Sequence, residues 1–214
     1  MALSGLTGGY GVAVAYSKRE TIFETTEHQW RVEPAALVWT RPGGESLTLL
    51  WRDVTAFRAA FAPTKWKAWR HLIEIRSRQG QRLTIDNGHI KGVGDFEDRS
   101  ETFTPFALAC LERIAAESPA AKGSIGASSG AYAAQLAFMV TGLGLALLVL
   151  VALPAPLGAL ILVKLALIAI SLPLALLWAV RARPRRAALT AQAFLPGLPH
   201  PAHQGTPPLT GRFP

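Results

Sequence analysis

One cysteine, Cys110, stands in the whole chain, so no internal disulfide and no cysteine-based zinc site can form. This usage fits a reducing compartment. No Asp or Glu follows Glu117. The formal charge of +8 is therefore unevenly held: residues 1–122 carry 16 Lys+Arg and 14 Asp+Glu, and residues 123–214 carry 6 basic residues and no acid. Basicity confined to the flank of an apolar stretch marks a membrane border and not a nucleic-acid face, so nucleic acid is not expected as a partner. Met1–Tyr16 has no basic n-region, and the run Gly11–Tyr16 is too short for a signal-peptide core. Ala2 excludes N-myristoylation, and the C-terminus carries no prenylation box. Export of the N-terminal part is not expected.

What the chain has in abundance is apolar sequence from Ala131 to Val180, interrupted at Pro154-Ala-Pro156 and containing one charge, Lys164. A bilayer core takes about 20 apolar residues per helix. The stretch over 131–180 thus predicts two transmembrane helices, 133–153 and 159–180, and an integral membrane protein whose first partner is the lipid bilayer. Arg181, Arg183, Arg185 and Arg186 follow directly, and the turn at 154–158 is uncharged. The positive-inside tendency then places the N- and C-termini in the cytoplasm of an inner-membrane protein. The same arginines could recruit anionic lipid or an acidic partner. Lys164 lies about 9 Å of helix from the turn; it either snorkels to the outer headgroups or meets a partner subunit's carboxylate. Residues 181–214, basic and then Pro-rich, are expected to be a disordered tail.

The first 118 residues read as a cytoplasmic domain. Ile73 and Ile75 alternate with Glu74 and Arg76, and Leu83 and Ile85 with Arg82, Thr84 and Asp86. That period of two marks half-buried antiparallel strands. Arg41-Pro-Gly-Gly44, Ala62-Pro63, Gln79-Gly80 and Asn87-Gly88 punctuate them, with a hairpin expected at Gln79-Gly80. The period then changes: Phe103, Phe106, Ala107, Cys110, Leu111 and Ile114 share one helix face. Thr104 as N-cap and Pro105 at the first helical position predict a helix over 104–117, stopped by Ser118-Pro119. About seven short strands and a closing helix predict an α+β fold: a small antiparallel β-barrel or sandwich capped by the helix. Residues 119–130 read as a flexible linker of about 19 Å reach.

Leu49-Leu-Trp-Arg-Asp-Val-Thr-Ala-Phe57, Gln81-Arg-Leu-Thr-Ile-Asp-Asn87 and Phe96-Glu-Asp-Arg-Ser100 carry a resemblance that spans about residues 21–117. They resemble, in turn, a short strand, a late strand after a glycine turn and the approach to the closing helix in the pleckstrin-homology-like domains of bacterial membrane proteins. The resemblance implies a recognition scaffold that binds lipid headgroups, peptides or its own copies, and not an enzyme. The chain departs from the eukaryotic branch in two ways. Its closing helix has no tryptophan, and its main basic cluster comes well after the first hairpin.

That cluster, Lys65-Trp-Lys-Ala-Trp-Arg70, interleaves cations with indoles. Lys65, Trp66, Lys67 and Arg70 are the candidate membrane-surface contact, because cations seek anionic headgroups and indoles the interface. Strand alternation offers a plainer alternative, with Trp69 in the core and Lys67 solvated. No catalytic constellation is present. His28, His71 and His89 are dispersed, His200 and His203 lack a third ligand, and Asp95, Glu97, Asp98 and Glu101 read as a solvated helix approach. No cofactor or metal is expected. The sequence thus predicts a membrane-anchored, non-enzymatic adaptor whose domain binds a protein partner or itself. The alternative is an inner-leaflet anionic-lipid sensor, and the third possibility an accessory subunit of a membrane enzyme or transporter.

Overall fold

The computed structural model describes residues 14–152 and 183–199, together with 166, 169–171, 173–177, 179 and 180. The chain divides into two units, Met1–Ser124 with Arg186–Pro214, and Ile125–Arg185.

The first unit begins with an antiparallel meander of β1 (Val14–Lys18), β2 (His28–Val32), β3 (Ala36–Thr40) and β4 (Ser46–Leu50). Its alternation is clear in β2, where His28, Trp30 and Val32 are buried while Gln29 and Arg31 face solvent. A 3-10 turn over Trp51–Asp53 leads to β5 (Val54–Phe61), β6 (His71–Ser77) and β7 (Arg82–Asp86). Ile73 pairs with both Ala59 and Ile85, which fixes one apolar face across the three strands. Gly80, at φ +84°, makes the β6–β7 turn that an L side chain would strain. A separate hairpin of β8 (Gly88–Gly92) and β9 (Asp95–Asp98) precedes α1 (Ser100–Glu117). Beyond β5 lie β10 (Lys122–Ile125) and then β11 (Arg185–Ala187), in the order β11-β10-β5-β6-β7.

The core forms where α1 meets both sheets. Phe103, Phe106, Ala107, Cys110, Leu111 and Ile114 are all buried, as the helical period requires. Tyr16 stacks on Phe106 at 5.4 Å and meets Phe103 edge-on at 5.5 Å. Burying each large apolar side chain contributes roughly 1.5–3 kcal/mol. Burial also pushes the Cys110 thiol far above its ordinary range, so the cysteine is an inert core residue.

The structure corrects several expectations. The fold is α+β, but among the described residues the strands form three separate sheets of four, five and two strands, and none closes into a barrel. The 3-10 turn at Trp51–Asp53 carries the chain from β4 in one sheet to β5 in the next, and β4 and β7 each end a sheet. The two-helix transmembrane hairpin is not present among the described residues. Among the described residues a single helix, α2 (Ser129–Ala152), is long and apolar enough to cross a membrane. Residues 153–165, which hold the expected turn and Lys164, lie outside the described residues.

The helix boundary also moves. α1 starts at Ser100, not Thr104, because Asp98 Oδ1 accepts the Ser100 backbone N–H at 2.9 Å and Phe103 N–H closes on Arg99 O at 2.9 Å. Thr104 instead donates to Pro199 O at 3.1 Å, and Pro105 sits inside the helix. The expected flexible linker contains strand β10, and the expected disordered tail returns to the domain over residues 185–199. There Phe194 is fully buried, edge-on to Phe57 at 5.1 Å, and Leu198 is buried as well.

In the second unit Ser128 caps α2, accepting the Ala131 N–H on its hydroxyl at 3.2 Å. Tyr132 donates its hydroxyl proton to Ala179 O at 3.1 Å.

Candidate functional site

Residues 62–70 form the loop between β5 and β6, where strand alternation could have carried Trp69 into the core. Thr64 shapes it. Thr64 N–H donates to Lys67 O at 3.0 Å, and Lys67 N–H donates to Thr64 Oγ1 at 3.1 Å, while Ala62 N–H closes the base on Arg70 O at 2.9 Å. Four side chains leave this frame in two directions. Trp66 projects from the tip, 66 % exposed, with the Lys65 ammonium 5.2 Å above its ring. Lys67 and Arg70 turn back into a cleft of about 400 Å³.

Asp86, at the end of β7, organises that cleft. Its Oδ1 accepts from Lys18 Nζ at 2.6 Å and its Oδ2 from Arg70 Nε at 2.5 Å; the Gly88 N–H adds 3.2 Å to Oδ1. Burial alone would raise the Asp86 pKa, but Lys18 and Arg70 outweigh it and hold the carboxyl below its ordinary range. Lys18 is shared with Glu20 at 3.2 Å. Tyr16 locks the strand end by donating to Asp86 O at 2.8 Å.

Lys67 is the cation left over. Lys18 and Arg70 engage Glu20 and Asp86, and among the described residues Lys67 has no ion pair. Its Nζ lies 4.6 Å from the Phe96 ring centroid on β9, and its stem crosses Gly88, where an added Cβ would sit 2.9 Å from Nζ. Burial lowers the Lys67 pKa, and repulsion from Lys18 and Arg70 adds to this against the pull of Asp86. Three cations thus face two carboxylates, with the hydroxyls of Thr64 and Thr84 on the same wall. The arrangement is suited to holding one anionic group, and it offers no nucleophile paired to a base.

The structure brings together Lys67 and Arg70 and separates them from Lys65 and Trp66 at the tip. Arg183 is exposed, and Arg185 and Arg186 are exposed on β11. Charges on an edge strand deter unwanted pairing. Arg181, Lys164, His200 and His203 lie outside the described residues. His28 and His89 serve the fold. His28 Nδ1 accepts from Trp39 Nε1 at 3.1 Å, leaving Nε2 to donate to Glu24 at 3.0 Å. His89 Nδ1 accepts the Arg19 N–H at 3.0 Å, and burial with nearby Arg99 lowers its pKa. Asp98 serves the start of α1, and Glu97 pairs with Lys91 at 3.2 Å. No group of three metal-ligating side chains occurs among the described residues.

Sequence reasoning missed Lys18, Glu20 and Asp86, because 68 residues separate Lys18 from Asp86. It also missed a second cluster, in which Glu74, 1 % exposed, lies beneath Arg58, Arg76 and Arg82. Burial would raise the Glu74 pKa, and the arginines lower it instead. The available signal was strand parity, which puts Arg58, Glu74 and Arg82 on one face once the three strands are aligned. In comparisons with known proteins, no family model, no curated protein and no solved structure matches this chain.

Proposed function

We propose that this chain is a non-enzymatic recognition protein held at a membrane by α2, whose first unit reads anionic lipid headgroups through the loop over residues 62–70. The observation that carries this reading is the Lys67 ammonium, partly buried in a cleft without a carboxylate of its own, beneath an exposed indole at Trp66. An anionic phosphate entering the cleft would meet Lys67 first, with Thr64 and Thr84 as hydrogen-bond donors, while Trp66 and Lys65 lie at the headgroup level. α2, at 24 residues, is about 36 Å long and matches a hydrocarbon core of about 30 Å. Each cation near an anionic surface contributes about 1 kcal/mol. Such contacts are weak singly and become effective when tethering raises the local concentration.

The test uses the full chain in zwitterionic micelles, titrated with dihexanoyl phosphatidylglycerol and separately with dihexanoyl phosphatidylcholine. The anionic lipid is expected to bind preferentially, to weaken as salt rises, and to lose about fivefold in affinity in Lys67→Ala, the equivalent of 1 kcal/mol. Gly88→Ala, whose methyl displaces the flexible end of Lys67, should show a similar loss with the charge retained. Equal binding of the two lipids, or an unchanged Lys67→Ala, would refute the reading.

A further inference from the structure

The unclosed barrel leaves a second recognition surface on the far side of β7. β4 is the last strand of the four-stranded sheet and pairs only with β3; β7 is the last strand of the five-stranded sheet and pairs only with β6. Between these two edges lies a groove of about 280 Å³. Its floor is apolar. Leu37 pairs with Leu49 and Trp39 with Leu47, so the four share one face, and Leu83 of β7 lies opposite. Leu47 is 37 % exposed, and every residue of β4 is exposed or half-buried. An edge strand with free backbone groups and an apolar strip beside it is the setting in which an extended peptide adds as a further strand.

The lips of the groove are basic. Arg41 stacks over Trp39 at 4.5 Å and has only an exposed partner, Glu45. Arg82, 54 % exposed, shares the single Glu74 carboxylate with Arg58 and Arg76. Two guanidinium groups, those of Arg41 and Arg82, therefore border the groove, and among the described residues no carboxylate lines it. Charge complementarity also narrows the occupant. Residues 1–13 and 118–214 contain no Asp or Glu, so neither end of this chain supplies the matching charge.

We propose that the gap between β4 and β7 is a docking groove for an extended acidic segment of a partner protein. The segment adds to the β4 edge, seats apolar side chains at alternate positions over Leu47, Leu49 and Leu83, and sets carboxylates against Arg41 and Arg82. Period two is imposed by the strand geometry, since successive side chains point to opposite faces. A proline in the middle of the segment is excluded because it removes a ladder donor. This site is separate from the Lys67 cleft, and the two can be tested apart.

The experiment selects a library of random decapeptides on the immobilised full chain in micelles and sequences the retained pool. The expected pool is enriched in Asp and Glu, alternates apolar with polar positions, and lacks central proline. Single peptides from it should bind at least tenfold more weakly to Leu47→Glu and to Arg41→Glu, and should slow hydrogen exchange at Leu47–Leu50. Leu47 and Arg41 are exposed, so unchanged hydrogen-exchange protection of β5–β7 in each variant separates lost binding from lost folding. Lys67→Ala should bind the same peptides as the parent. No enrichment, a neutral or basic pool, a helical spacing of apolar positions, or full binding by Leu47→Glu and Arg41→Glu would overturn the proposal. Self-association of the chain that Leu47→Glu abolishes would assign the groove to a second copy and overturn it as well.

Discussion

Truncating Phe194 should release a segment and leave the domain that it covers intact. Phe194 is fully buried, edge-on to Phe57 at 5.1 Å and 64°. Phe→Ala in a core that cannot relax costs about 3–5 kcal/mol. The segment around Phe194 is anchored by little else: buried Leu198, the Thr104 bond to Pro199 O, and the Thr190 side chain that caps Ala191–Phe194. Burying two large apolar side chains contributes roughly 3–6 kcal/mol. Ordering the backbone opposes this gain, so the net docking free energy of 188–199 is smaller than the loss in a rigid core. Phe194→Ala therefore detaches the segment instead of leaving a cavity. Hydrogen exchange on the full chain is the assay, because two units make a single global stability ill-defined. Protection at 190–199 should fall about a hundredfold, equivalent to about 2.7 kcal/mol, while β5–β7 amides hold most of theirs. Phe57→Ala, inside the domain, should lower both together. If Phe194→Ala weakens β5–β7 as much as Phe57→Ala does, or leaves 190–199 unchanged, the segment is not a separately docked element.

Three further outcomes follow from the same structure. Gly123→Ala places a Cβ 2.2 Å from Ala187 O, a backbone atom that cannot swing away, so it should open the contact between β10 and β11 and expose residues 185–187 to proteolysis; an unchanged digestion pattern would contradict this. Glu74→Gln leaves three arginines facing one another without their carboxylate and should lower the hydrogen-exchange protection of β5–β7 by on the order of 3 kcal/mol, whereas Arg76→Ala, at a half-exposed partner, should cost under 1 kcal/mol. His89 has a pKa below its ordinary 6.5, so the folded state holds it neutral while the unfolded chain protonates. Its contribution is complete above pH 6.5 and is lost as pH falls below that value, a slope that His89→Gln should flatten. The Glu24, Glu27, Glu74 and Asp86 carboxyls are all held low, so their contribution is lost only at more acid pH, as each is protonated.

Local pattern was legible where one face of an element met the core. The six apolar residues of α1 are buried as their spacing required, and the Gln79-Gly80 turn joins β6 to β7. What failed depended on pairing between distant segments. Joining the two larger sheets needs β4 to meet β7, and closing them needs β1 to meet β11 as well; no strand's own alternation says whether it will. The return of 185–199 was hidden because a Pro-rich, weakly apolar stretch carries few strong signals, although one phenylalanine fills a gap against Phe57. The apolar run over 131–180 was read as two spans from composition, and one qualifying helix stands among the described residues. At the cleft, Lys67 and Arg70 were visible as a basic cluster. Asp86 was placed on a polar strand face, and only the fold shows that it neutralises Lys18 and Arg70 and leaves Lys67 uncompensated.

The most direct measurement is hydrogen exchange across residues 62–70 of the full chain in lipid nanodiscs, comparing phosphatidylcholine alone with a mixture containing phosphatidylglycerol. The account predicts slower exchange at Lys65–Lys67 only in the anionic discs, and no such difference in Lys67→Ala. The same exchange in both kinds of disc would contradict it.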